Sequence, residues 1–416
     1  MNEKVLSVRL NGNPVGTLQQ RPSGNMIFKY LNTPQQAISL GMPIQAAPYE
    51  HQKCEAFFGG LLPESESAKK AIGKQFHVSP NNTFALLKAI GYDCAGAISF
   101  HKENDPISPH EPFTITGTIL SDDDLHAHIV SLPSKPLFIG FEGLRLSLAG
   151  VQDKAAVCLI DNRLALPTNG CPTTHILKPT IEKFPSLVEN EFFCMRLAND
   201  IGLSVPSVEI RFVKNTSYLL VARFDRKVKN DKVSRIHQED FCQALGVKSS
   251  MKYQNEGGPG FTKCFDLLSQ STQPASNRNA LIEGLVFNFL IGNMDAHSKN
   301  FSLLHVTKNF IRLAPFYDLV CTLHYNELTR KMAMKVGSKY KVDDVQTRHW
   351  EQLCQSINYS YPALKKVLKN QSEMILSTMA KNKSLYSELV NSSDVITSLT
   401  TLIESRIIEI NKKFDF

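Results

Sequence analysis

Asp295 and Asn300 lie five residues apart in the polar run Gly292-Asn-Met-Asp-Ala-His-Ser-Lys-Asn300. A carboxylate and an amide at that spacing suit phosphoryl transfer, in which a base orients the attacking hydroxyl while an amide oxygen helps to hold a metal ion. The segments that follow, FSLLHV and FIRLAPF, alternate well enough to predict a hairpin across Thr307-Lys308-Asn309. A hairpin returns the chain to its start. It would set Asp318, in PFYDL, beside Asn300, where a carboxylate and an amide oxygen can share Mg²⁺. Asp295 is then the expected base, Asn300 and Asp318 the expected metal ligands, and Lys299 an added positive charge near the γ-phosphate. A lone D-x-x-x-x-N pair is more often turn chemistry, so the second aspartate and the flanking elements carry the reading.

Two lysines upstream could meet the same charge. Lys178 ends the predicted strand THILK, and the helix after it offers Glu189 and Glu191. An ion pair from that helix, with Glu191 preferred, would fix the amine against the α/β-phosphates, as a strand lysine and a helix glutamate do in kinases. The run Ser147-Leu-Ala-Gly-Val-Gln-Asp-Lys154 links two strands through small residues. Ala149 and Gly150 let the backbone approach a phosphate, and Lys154 adds charge.

These residues need elements to hold them. LIEGLVFNFLI predicts a helix buried on a broad face and ended by Gly292, so the Asp295 loop starts from a fixed point. AAVCLI, LAL, THILK, SVEIRFV and SYLLVARF read as strands, and SLVENEFFCMRLAND reads as an amphipathic helix stopped by Gly202. At the start, VLSVRL and VGTL flank Asn11-Gly12, a hairpin signal, and MIFKY follows. EAFFGGLLPESESAKKAI and NNTFALLKAIGY suggest two or three helices. HKENDPISPHEP is polar and proline-rich, as a connector should be, and Ser121 should cap a short helix through an acidic first turn. The expected units are a β-rich subdomain over 1–105, a connector with a short helix over 106–137, a sheet with phosphate loop and hinge over 138–230, and a helical lobe over 231–416. The fold class is α+β and bilobal, kinase-like in plan.

With 416 residues the chain can bury a core without staples. Its nine cysteines form no C-x-x-C pair and are odd in number, which argues for reduced thiols in a cytoplasmic setting. No apolar run is long enough to span a bilayer and MNEKVLSVRL has no signal-peptide character, so no membrane partner is expected. The net charge of +7 permits nucleic acid nearby without requiring it, and the basic cluster from Arg330 to Lys341 suits a solvated surface.

The blocks SLAGVQDK, HILKP, ENEFFCMRLA, VARFDR, HQEDFCQALG, DAHSKNF and LAPFYDL, in that order from 147 to 319, resemble the HipA family of serine/threonine toxin kinases. FFGGLLPES resembles the N-terminal subdomain of the same family. The resemblance implies an ATP-dependent protein kinase with Asp295 as base. It implies nucleotide contacts at Ala149, Gly150, Val151, Gln152, Asp153 and Lys154, at Lys178, and at a hinge of Ala222, Arg223 and Phe224. His297, Ser298, Lys299 and Asn300, with Tyr317 and Asp318, would close the site. Family members often carry an acidic residue where this chain has Ala222, and PFYDL lacks the glycine of D-F-G, so no flip of that segment is expected.

Ser147 aligns with the serine that HipA kinases autophosphorylate. A phosphate there would add about −2 charge beside a loop built for triphosphate and eject the loop, which would inactivate the enzyme. The resemblance further implies a small helix-turn-helix antitoxin as partner, operator DNA reached mainly through that antitoxin, and a translation-related protein substrate such as an aminoacyl-tRNA synthetase. The alternatives are a catalytically silent corepressor that keeps the fold to bind its antitoxin, and a small-molecule kinase sharing the D-x-x-x-x-N plan.

Overall fold

The computed structural model of the protein describes residues 4–106, 112–138, 147–150 and 152–416. Strands β1 (Lys4–Leu10), β2 (Asn13–Gln20) and β3 (Met26–Tyr30) open the chain. Asn11 and Gly12 turn β1 into β2 with φ of 50° and 78°, the left-handed pair that matches strand twist in a two-residue hairpin. Helices α1 (His51–Phe58), α2 (Glu66–Gln75) and α3 (Thr83–Ile90) follow, and β4 (Ile98–His101) completes a sheet of order β3-β2-β1-β4.

The segment read as a connector does more than connect. It contributes β5 (Phe113–Thr114), β6 (Gly117–Ile119) and helix α4 (Asp122–Ser131), whose N-cap Ser121 accepts from Asp124 N–H. Strands β7 (Ala155–Ile160), β8 (Arg163–Pro167) and β9 (His175–Pro179) precede helix α5 (Leu187–Asp200). Then come β10 (Val208–Val213) and β11 (Thr216–Ala222), giving a six-stranded antiparallel sheet of order β10-β11-β9-β7-β8-β6. A strand of three residues joins that sheet only because β8 offers it an edge, a tertiary choice that local pattern does not carry. The N-terminal sheet, its helices and the inner face of β7, β9 and β11 share one core, with Phe28, Phe57, Phe58 and Phe100 packed in the same cluster as Val157, Leu177 and Leu220.

Beyond Arg226 the chain is not purely helical. Strands β12 (Arg226–Lys229), β13 (Lys232–Arg235) and β14 (His237–Asp240) lead to helices α6 (Phe241–Leu245), α7 (Phe261–Leu268) and α8 (Pro274–Ile291). Hairpins β15 (Ser302–Thr307) with β16 (Phe310–Leu313) and β17 (Lys331–Val336) with β18 (Lys339–Lys341) come next. Helices α9 (Thr347–Ser356), α10 (Tyr361–Leu389) and α11 (Ser393–Phe414) close the lobe around Trp350, Phe193 and Tyr386. The lobe is helical in its bulk, with the predicted 302–313 hairpin at the site. All nine cysteines are buried free thiols. No described helix is long and apolar enough to cross a membrane.

Candidate active site

Helix α8 delivers the Asp295 loop. Gly292 ends it at φ 79°, its N–H returning to the Asn288 and Phe289 carbonyls, so the chain leaves the helix at a fixed angle. Gly284 in the same helix faces the Phe316 ring, where an added Cβ would stand 2.3 Å from Phe316 Cζ. That close approach seats PFYDL on α8. Asn293 Nδ2 donates to the Asp318 carbonyl at 3.4 Å, and the Tyr317 hydroxyl donates to the Lys299 carbonyl at 2.7 Å. The hairpin therefore ties Asp318 to the loop that carries Asn300, as the alternation of FSLLHV and FIRL predicts. Asp318 sits at φ 53°, a left-handed conformation that aspartate tolerates better than most residues.

Lys178 stands between two carboxylates. Its Nζ lies 2.6 Å from Glu191 Oε1 and is also in direct contact with Asp318 Oδ1. The lysine comes from β9 and the glutamate from one buried turn of α5, so strand and helix converge on one amine. Burial opposes charge on all three groups. At Asp318 the ammonium groups of Lys178 and Lys154 outweigh it and hold the carboxyl well below the usual carboxylate range. Glu191, fully enclosed and beside Asp318, is pushed up by burial. Lys178 is held above the ordinary lysine range by its two carboxylate partners despite its burial. Glu189, the other candidate on α5, instead accepts from Ser217 Oγ at 2.8 Å.

The phosphate loop is described at Ser147–Gly150 and from Gln152 onward, so Val151 lies outside the described residues. Gly150 adopts φ 111°, a conformation that a side chain resists, and a Cβ there would meet Lys154 Nζ at 2.5 Å. Lys154 Nζ donates to the Ala149 carbonyl at 2.9 Å, and burial pushes its amine down. Gln152 Nε2 makes a long contact, 3.5 Å, to the Pro179 carbonyl. Burial raises Asp153. Ser147 is fully buried, its hydroxyl donating to the Leu61 carbonyl at 2.7 Å.

Asp295 is exposed, and its Oδ1 accepts from the Tyr253 hydroxyl at 2.8 Å. Asn300 Nδ2 donates to the Asp295 carbonyl at 3.1 Å, and its amide oxygen has no hydrogen bond among the described residues and can act as a ligand. His297 is buried, pushed down by that burial to about 4, and its Nδ1 has no partner among the described residues. Phe224 stacks on Tyr317 at 5.4 Å between ring centroids, joining the hinge to the Asp318 segment.

Three side chains predicted at the nucleotide are committed elsewhere. Lys299 does not stand free beside a γ-phosphate: its Nζ lies 2.6 Å from Asp240 Oδ2 and 3.9 Å from Glu64 Oε1, which neutralise it. Arg223 turns into a buried network, bonding Asp225, Thr173 and the Cys94 carbonyl, and its own N–H goes to the Thr174 carbonyl. Ser298 is enclosed, donating to the Lys252 carbonyl and touching Cys242 Sγ. The Ala222 N–H is likewise spent on the Ser207 carbonyl.

Glu64, Lys252 and Tyr253 escape sequence reasoning. Glu64 bonds Lys252 at 2.7 Å, and its N–H donates to the Gly150 carbonyl, so the N-terminal subdomain touches phosphate loop and catalytic loop at once. FFGGLLPES and the glycine-rich run KYQNEGGPG were the available signals. Among the described residues no cluster of three His, Cys, Asp or Glu side chains could hold a metal ion alone. A nucleotide-bound Mg²⁺ needs only one or two carboxylates beside phosphates and water. Asp318, ionised and 38% exposed in its side chain, with the Asn300 amide oxygen, fits that requirement.

The HipA-like C-terminal domain matches residues 146–382, and the HipA N-terminal domain matches 6–101. "Putative kinase Y4mE" of Sinorhizobium fredii (strain NBRC 101917 / NGR234) is 40% identical over 396 residues, 92% of each chain. The serine/threonine-protein kinase toxin HipA of Shewanella oneidensis is 33% identical over 302 residues, covering 70% of this chain and 68% of that one. In three dimensions the fold matches HipA in the Shewanella oneidensis MR-1 complex of HipA, HipB and operator DNA, with TM-score 0.83 and 24% identity over 99% of this chain and 98% of that one. The chain belongs to the HipA family of kinases.

Proposed function

We propose that this protein is a serine/threonine protein kinase that acts as the toxin of a toxin–antitoxin pair in the cytoplasm. The observation that carries the reading is the Lys178 amine held between Glu191 and Asp318, with Asp295 exposed on the loop that Asn300 and Tyr317 brace. In this reading ATP lies between the phosphate loop and the Asp318 segment, with Lys154 and Lys178 facing its phosphates. A bound Mg²⁺, held by Asp318 and Asn300, would neutralise phosphate oxygens as charge builds. Asp295 accepts the proton of the acceptor hydroxyl, and its exposure suits a protein acceptor.

Ser147 is the proposed site of self-inactivation. Its hydroxyl is enclosed against the Leu61 carbonyl, so it becomes accessible only when the phosphate loop leaves its seat, and a phosphate there would prevent return. The proposed partners are a helix-turn-helix antitoxin, operator DNA through that antitoxin, and a translation-related protein substrate such as an aminoacyl-tRNA synthetase. The Shewanella complex of HipA, HipB and operator DNA supports the antitoxin and DNA partners. Purified protein incubated with radiolabelled ATP, Mg²⁺ and total cell lysate should label discrete protein bands. Label confined to small metabolites rejects the reading, and no label at all with antitoxin binding intact turns it toward a silent corepressor.

A further inference from the structure

The catalytic loop carries a contact that phosphoryl transfer does not itself require. The Tyr253 hydroxyl donates to Asp295 Oδ1 at 2.8 Å, and Asp295 Oδ2 has no hydrogen bond among the described residues. Tyr253 is not a side chain resting there by chance. Its carbonyl accepts from the N–H groups of Glu256 and Gly258, at 3.1 and 2.9 Å. The Lys252 carbonyl accepts from Ser298 Oγ, and Gln254 Oε1 accepts from the Lys335 N–H at 2.9 Å. Gly258 is enclosed so tightly that a Cβ would stand 2.1 Å from the Met251 carbonyl oxygen. The Tyr253 ring packs edge-on against His297, with centroids 5.2 Å apart. The tyrosine is thus anchored on both sides of its backbone and on its ring, and its hydroxyl arrives at the carboxylate from a braced element.

We infer that Tyr253 is a positioning residue for the transfer: it holds one oxygen of Asp295 and so presents the other to the phosphoacceptor hydroxyl. The inference rests on the reading of Asp295 as base. In the step, the acceptor oxygen bonds to the γ-phosphorus while the bond to the β,γ-bridging oxygen breaks. The acceptor proton passes to Asp295 Oδ2, and ADP leaves. A carboxylate with a free rotor spends part of its time turned from the acceptor, and misplacement of a reacting group is costly.

The test is the full-length Tyr253→Phe protein, assayed for label transferred from radiolabelled ATP to lysate protein, beside Asp295→Asn and the double variant. The expected result is a fall in kcat of roughly 10- to 100-fold with the KM for ATP within about twofold of wild type. Thermal stability should hold, and Tyr253→Phe should add nothing to the residual transfer of Asp295→Asn. Wild-type kcat overturns the inference, as does a rise in kcat, which would make the hydroxyl an obstacle to the acceptor. A loss that accompanies lowered thermal stability, or that adds to Asp295→Asn, also overturns it, because the role would then be structural. Near-normal activity of Asp295→Asn removes the base reading itself, which is a separate outcome.

Discussion

Lys178 reaches Asp318 across 140 residues of sequence, and the same amine holds Glu191. The contact closes the cleft between sheet and helical lobe on a single positive charge. Removing that charge leaves the enclosed Glu191 carboxyl without its partner and beside the part-exposed Asp318. Lys178→Met should therefore abolish transfer and also destabilise the fold by about 3–5 kcal/mol, the range for breaking a buried pair from one side. Denaturant unfolding reads the second effect. Full stability in the variant would show that the Lys178–Glu191 pair is hydrated rather than buried.

Gly150→Ala tests the phosphate loop. The residue holds φ 111°, where a side chain costs about 1–3 kcal/mol, and its Cβ would meet Lys154 Nζ. The loop should relax away from its seat. A raised KM for ATP with smaller change in kcat is the expected pattern, measured by initial rates over a range of ATP. An unchanged KM would mean that the loop does not hold the nucleotide.

Glu64 belongs to the N-terminal subdomain yet serves the catalytic lobe. Burial would raise its carboxyl, but Lys299 and Lys252 hold it lower than usual. Glu64→Gln keeps the shape and removes the charge, and should cost about 2 kcal/mol as a charge-assisted hydrogen bond weakens. Transfer should fall while antitoxin binding, measured by calorimetry, is kept. Stability and rate both at wild-type level would reduce the contact to a bystander.

The folded protein should lose stability in mild acid. Burial and the neighbouring His305 push His237 down to about 3, and burial pushes His297 down to about 4. An unfolded histidine titrates near 6.5. Between those values the unfolded chain binds protons that the folded chain refuses, so the contribution is complete above roughly pH 6.5 and falls as pH drops toward 4. Unfolding free energy followed from about pH 7.5 to 5 should decline, and His237→Gln should show a shallower decline. A flat wild-type profile contradicts the assignment.

The parts of the site that sit on regular elements were legible in the sequence. Lys178 could be placed because THILK has strand character, and Glu191 because the following helix is amphipathic. Gly292 marked the end of α8, and the alternation after Asn300 predicted the hairpin that brings Asp318 back. The same reasoning misplaced Lys299, whose partner Asp240 is 59 residues away and leaves no local trace. The family resemblance gave Arg223 to the nucleotide, although a network with Asp93 and Asp225 claims its guanidinium. Glu64 and Tyr253 lie on short turns without periodicity, and their partners are set by packing between units. Strand β6 went unread for a related reason, since a three-residue segment takes its conformation from the edge it meets.

The central claim is that Asp295 accepts the acceptor proton. The direct measurement is the rate of label transfer from radiolabelled ATP by Asp295→Asn against wild type, with thermal unfolding as the control for fold. Asp295→Asn should lose about 10²- to 10⁴-fold with the unfolding temperature nearly unchanged, because an exposed loop carboxylate adds little to the core. A folded Asp295→Asn protein that transfers phosphate at close to the wild-type rate would contradict it.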